Sequence, residues 1–270
     1  MGHLKTVHTT VATIAAVLVA LGIAAPASAQ SASPDPSTPG TIEFLPRYDF
    51  HLDAQHLSSP DPRFVWDANF GGALDFVDYG FGRATFLANY QVILGEEIRN
   101  FDPNQGNYTL EGSASGRLHG FEAALVFHHV SRHLADRPKT FAIDWNMLGA
   151  RVEKAFAVKG IELNPRVDVR GVILHSYVDY RWEVDADLRN VYPLASRVAA
   201  VSDVDLRLLG VDGSQNRGTQ TGAKAEGGIR LGGKAGAVEL FIAVERRIDP
   251  YPTEFGVDTW ASAGFRLLSR

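Results

Sequence analysis

The 270-residue chain contains no cysteine, so disulfides and thiolate metal sites are excluded from its design. It lacks a basic face as well. Its 26 Lys and Arg stand against 31 Asp and Glu, a formal net charge of −5, and no basic stripe stands out. That pattern argues against nucleic acid as a partner. Beyond residue 25 no apolar run approaches the ~20 residues of a transmembrane helix. Helical periodicity is scarce throughout, and alternation with period 2 is nearly everywhere.

Residues 1–29 read as an export signal. Lys5, with His3 and His8, makes a weakly positive start, 11–25 is an apolar stretch, and Ala27-Ser28-Ala29 supplies a small-residue cleavage site. Lys5 is the only charged residue in that segment, so removing it leaves 25 Lys and Arg against 31 Asp and Glu. An exported chain is free to use disulfides. Using none fits a bacterial envelope protein better than a small secreted scaffold. Residues 30–41 are rich in Pro and Ser and read as a linker, which leaves 42–270 as the folded domain.

The alternation begins at once in that domain. Ile42, Phe44, Tyr48, Phe50 and Leu52 fall on one face, and Glu43, Arg47, Asp49, His51 and Asp53 on the other. A pleated strand between one apolar and one polar environment requires this pattern. Similar strands are expected over 64–78, 81–94 and 108–118, then as two strands from 121 to 158 joined by the polar loop near 133–140, then over 163–173, 177–188, 198–210, 219–232, 237–248 and 255–268. Near His175 the phase flips, which marks a bulge or a turn, and from there Tyr180, Trp182 and Val184 on the apolar face alternate with Asp179, Arg181, Glu183 and Asp185. Short turns at Tyr79-Gly80, His119-Gly120, Lys159-Gly160 and 233–236 alternate with longer polar loops near 57–63, 95–106, 133–140, 211–218 and 249–254. Short turns on one side and longer loops on the other are the habit of outer-membrane barrels. The fold expected is an all-β, closed, antiparallel up-and-down transmembrane barrel of about twelve strands.

Period 2 alone also allows a soluble sandwich or a lipocalin-like barrel. Three features favour the membrane. Mixed charges such as Glu226, Arg230, Glu239, Glu245, Arg247 and Arg266 share the polar faces, as ion pairs crossing a lumen would. The strands are long enough to span when tilted. Aromatics gather near strand ends (Tyr48, Trp66, Tyr108, Trp145, Trp182, Trp260), as girdles do.

One hairpin breaks the pattern. On the strand that starts at Phe121 the apolar face of Phe121, Ala123, Leu125 and Phe127 runs on into His129, Ser131 and His133. The phase turns His128 and Glu122 inward, and Asp136 lies in the following loop. The returning strand brings Asp144 and Asn146 to the matching face, and hairpin pairing sets Ser131 beside Asp144 and His129 beside Asn146. A lipid-facing charge costs ~2–4 kcal/mol at mid-bilayer but only ~0–1 kcal/mol near the interface, so stability alone does not make these residues functional. Their chemistry carries more. A serine hydroxyl beside an imidazole, itself oriented by an amide or a carboxylate, is the minimum for an activated nucleophile. His129 would be the base, Ser131 the nucleophile, and Asn146 or Asp144 the orienting group. The spacing of His129, His133 and Asp136 suits a helix and is misaligned for one metal on a strand, so no metal site is expected. The plainer alternative is a polar girdle in which the histidines and Arg132 contact lipopolysaccharide phosphates.

His-x-Ser on one strand with an acid or amide on the next resembles the arrangement of outer-membrane phospholipase A and of the PagL-type lipid A deacylases. The string His129-x-Ser131-x-His133-Leu134-x-Asp136 is also similar to a motif in a family of bacterial envelope barrels. The Asn-Gly that follows the phospholipase serine is replaced here by Arg132 and His133. The resemblance implies an outer-membrane acyl hydrolase whose partners are membrane lipids or lipopolysaccharide. Calcium and dimerisation are implied by the resemblance only. The other function expected of such a chain is a non-enzymatic barrel, either a narrow pore or a structural protein.

Overall fold

The computed structural model describes residues 41–269; the expected export signal and the linker up to residue 40 lie outside them. Twelve strands form one closed antiparallel barrel. They are β1 (Glu43–Leu57), β2 (Trp66–Asp78), β3 (Arg83–Gly95), β4 (Asp102–Leu118), β5 (Phe121–Leu134), β6 (Asp144–Glu153, resuming at Phe156–Val158), β7 (Ile161–Ser176), β8 (Tyr180–Ala195), β9 (Val198–Val211), β10 (Gln220–Gly232), β11 (Gly236–Ile248) and β12 (Val257–Ser269). Each strand pairs with its neighbours in sequence. The ring closes where β1 pairs with β12, from His51 opposite Leu268 to Leu57 opposite Ser262. Closure leaves no strand edge unpaired, which hydrocarbon demands of any sheet inside it.

Turns of two to four residues join the strands at one end of the barrel. His119-Gly120 and Lys159-Gly160 both hold two successive positive φ angles, the geometry that matches a hairpin to strand twist. At the other end the connections run six to nine residues, apart from the three-residue turn at 177–179. The phase flip near His175 has two sources: a bulge in β7 opposite Asn146 and Met147, and that turn, where Tyr177 has φ 71°.

Phe44 is 78% exposed, Phe70 48% and Val238 37%, so the apolar faces point away from the barrel axis. Leu125, Leu148, Leu240, Ile242 and Val244 continue this belt around the outside. The inside is charged and paired. Glu239 is buried and accepts from Arg189, Arg230 and Arg266. Arg83 reaches Asp75, Glu122 and Glu153 at 2.7 to 3.2 Å, and Arg170 bonds Glu183 at 2.6 Å. An exterior of this kind is solvated by acyl chains, and an interior of this kind is a lumen crossed by ion pairs.

Near the loop end the interior changes character. Ile143, Trp145, Met147, Val178, Tyr180 and Leu209 form one buried apolar cluster, and Leu57, Phe64, Ile93, Tyr251 and Trp260 form another. The loop at 249–256 folds over them. Arg132 of β5 donates to the carbonyls of Asp249 and Pro250, and Tyr180 Oη donates to Asp249 Oδ2 at 2.7 Å. Arg217 ties Asp249 to Asp179.

This cap corrects three expectations. Trp145 and Trp260 are buried in it and are not girdle residues, whereas Tyr48 and Tyr108 remain exposed on the outer face. Tyr180 also packs inward, because a bulge at Arg181, opposite Gly210 and Val211, shifts the phase between it and Trp182. Finally, β4 begins at Asp102, six residues before the expected Tyr108, since Asp102 to Asn107 extend the wall above the apolar belt and pack their polar side chains on the cap loops.

Candidate active site

The site lies on β5 and β6, and its position follows from the two-residue turn and the alternation. The observed register sets His129 opposite Asn146 and Ser131 opposite Asp144. Odd-numbered β5 residues face outward: Phe121, Leu125 and Phe127 are exposed, and His129 and Ser131 are half-buried on the same side near the loop end. Even-numbered residues face the lumen. There His128 Nδ1 meets Glu111 Oε2 at 2.9 Å, and Glu122 accepts from Arg83 and Ser115 at the turn end. Both lie away from the outward trio. Asp136, in the loop, accepts from Arg99 at 2.8 Å.

Of the two candidates for the orienting group, Asn146 makes the bond. Its Oδ1 accepts from His129 Nδ1 at 2.9 Å. An amide oxygen there keeps the proton on Nδ1 and leaves Nε2 as the basic nitrogen. Asp144, among the described residues, makes no hydrogen bond or ion pair; its carboxylate acts on His133 and on Lys139 through space. Burial holds the Lys139 ammonium, in the loop, below its ordinary value. Its Nζ donates to the Arg132 carbonyl at 2.8 Å.

The serine departs from expectation. Its hydroxyl was expected on His129; in the structure it bonds His133 Nε2 at 2.8 Å. His133 is the more exposed of the two imidazoles and stands edge-on to Tyr108, with ring centroids 5.4 Å apart. Tyr108 lies directly across from Ser131 on β4. The sequence contained the signal for that neighbour, because counting back from the turn at His119-Gly120 pairs the two. Tyr90 and Phe70 extend the aromatic row along the wall at 4.7 and 5.3 Å.

Arg132 also moves. It sits on the inward face under the cap, so the girdle of histidines and arginine expected at the lipid headgroups does not include it.

No protein-family model and no curated protein matches the chain. Among solved structures it is similar to outer membrane phospholipase A from Escherichia coli, with a TM-score of 0.51 and 14% identity over 82% of this chain and 92% of that one. It is also similar to the Salmonella typhi outer membrane phospholipase dimer with bound calcium, with a TM-score of 0.51 and 14% identity over 86% and 93%. At this identity the likeness is one of fold: the chain is a barrel of the outer-membrane type.

Proposed function

We propose that the protein is an outer-membrane acyl hydrolase that cleaves ester-linked membrane lipid, phospholipid or lipid A, at the outer wall of β5 and β6. Ser131 is the nucleophile, His129 the general base and Asn146 the group that fixes its tautomer. The observation that carries this reading is the Asn146–His129 bond on a lipid-facing wall, with a serine two residues along the same face. The brace fixes one imidazole nitrogen as an acceptor on that wall, and a lipid ester reaches the wall by lateral diffusion.

In the reaction, Ser131 Oγ bonds the ester carbonyl carbon as its proton passes to His129 Nε2. Collapse of the tetrahedral intermediate breaks the ester C–O bond, and the proton moves from His129 to the departing alkoxide. Water then attacks the acyl-serine, His129 taking one proton and returning it to Ser131 Oγ as the fatty acid leaves.

Calcium needs six to eight oxygen ligands. Beside Ser131 the chain offers the carboxylate of Asp144, and among the described residues the one group of three acids close enough to share an ion is Asp187, Asp203 and Asp205 on β8 and β9. This chain's residues at the site do not by themselves make a calcium cage, and no step is assigned to one.

The test is fatty-acid release from ester phospholipid by the refolded protein in mixed micelles. Ser131→Ala is expected to abolish it; unchanged release in that variant would remove the reading. The second reading is a non-enzymatic structural barrel, which the capped lumen favours over a pore. Steady current through planar bilayers would count for a pore instead.

A further inference from the structure

Ser131 stands between two imidazoles. On a strand, residues i−2 and i+2 flank residue i on the same face, one toward each end. His129 and His133 occupy those places, and they differ in their support. His129 is braced through Nδ1 by Asn146, and among the described residues this is its one side-chain hydrogen bond, so Nε2 is free. His133, among the described residues, has no such brace, and its Nε2 is occupied by the Ser131 hydroxyl at 2.8 Å. The nucleophile is therefore attached to the imidazole that is not held for catalysis.

We infer that His133 is a positioning residue that parks the Ser131 hydroxyl away from the base, so that the enzyme rests with its relay open. The inference builds on the proposed acyl hydrolase. A hydroxyl has one proton to donate, so with His133 in the tautomer whose Nε2 accepts, the bond to His133 excludes one to His129 Nε2. Rotation of Ser131 about χ1 from one staggered well to another carries Oγ from the upper imidazole to the lower one. A χ1 rotation is a side-chain motion and leaves the strand backbone in place. The armed rotamer is the one in which the proton can pass to His129 as Oγ attacks the ester carbon. His133 touches neither substrate nor leaving group in this scheme; it sets how often the hydroxyl is available.

The size of the effect follows from the bond. A single neutral hydrogen bond at a half-exposed position biases a two-well equilibrium by roughly 2- to 12-fold. Release of the latch is expected to raise kcat by that factor and to leave KM unchanged, since bound lipid meets the same wall.

The experiment measures the rate at which an alkyl sulfonyl fluoride labels Ser131, read by intact mass, together with kcat and KM on ester phospholipid. It compares the unaltered protein with His133→Ala and with His133→Phe, which keeps a ring against Tyr108 but has no acceptor nitrogen. Both variants are expected to label faster and to show the higher kcat. Labelling at an unchanged or lower rate in both overturns the latch while leaving Ser131 a reactive serine. A rise in His133→Ala alone also overturns it, because lost ring packing would then be the cause. Absence of Ser131 labelling in every variant overturns the hydrolase reading and the latch with it.

Discussion

The lumen and the outer wall of β5 and β6 both hold polar side chains away from bulk water, and they treat them in opposite ways. In the lumen the charges neutralise one another: Glu239 takes three arginines, Arg83 takes three acids, and Glu111 is shared between His128 and Arg151. On the outer wall a few polar groups stand at the edge of an apolar belt, and two imidazole nitrogens, His129 Nε2 and His133 Nδ1, and the Asp144 carboxylate are left without a hydrogen bond among the described residues. A charge in low dielectric must be paired, so the lumen network reports on stability. Polar groups near the interface cost little, a charge there only ~0–1 kcal/mol, so the wall can keep reactive atoms free. The richer set of ionisable groups is thus the scaffold, and the poorer set is the candidate site.

The sharpest break of this contrast would come from the lumen. Glu239→Ala leaves Arg189, Arg230 and Arg266 facing each other without their shared acid, and is expected to cost ~3–5 kcal/mol in urea unfolding from vesicles. Lipid-ester turnover per folded molecule should stay unchanged. A large loss of turnover at full stability would place chemistry in the lumen and reverse the assignment. On the wall the signs exchange. Asn146→Ala is expected to lower kcat by about 10²-fold or more through loss of the tautomer lock, with an unfolding shift of no more than ~1.5 kcal/mol. Asp144→Ala, two residues away on the same face, should stay within about 2-fold, as a surface substitution outside the relay does. Equal losses in the two variants would mean that the carboxylate shares the orienting role.

Much of this was legible in the sequence, for a definite reason. A wall between lipid and a charged lumen forces strict alternation, so strand count, facing and the His129–Asn146 and Ser131–Asp144 register could be read from residue types and turn lengths. Legibility fails where the two environments stop differing. Under the cap the interior is itself apolar, so Trp145, Tyr180 and Trp260 read as girdle or lipid-facing residues although they point inward. Above the belt both faces are polar, so the first turns of β4, with Pro103 and Gly106, read as loop. The partner of Ser131 was out of reach for another reason. Strand pairing places the serine between His129 and His133, and only a side-chain rotamer chooses between them.

The absence of native cysteine makes the central claim directly measurable, because each engineered cysteine is the only label site. Nitroxides placed one at a time from 121 to 133 on β5, in lipid vesicles, report contact with oxygen dissolved in the bilayer. The account predicts strong oxygen contact at odd positions, 129 and 131 included, and weak contact at even ones. Strong contact at 126 and 128 with shelter at 129 and 131 would turn the wall inside out and contradict it.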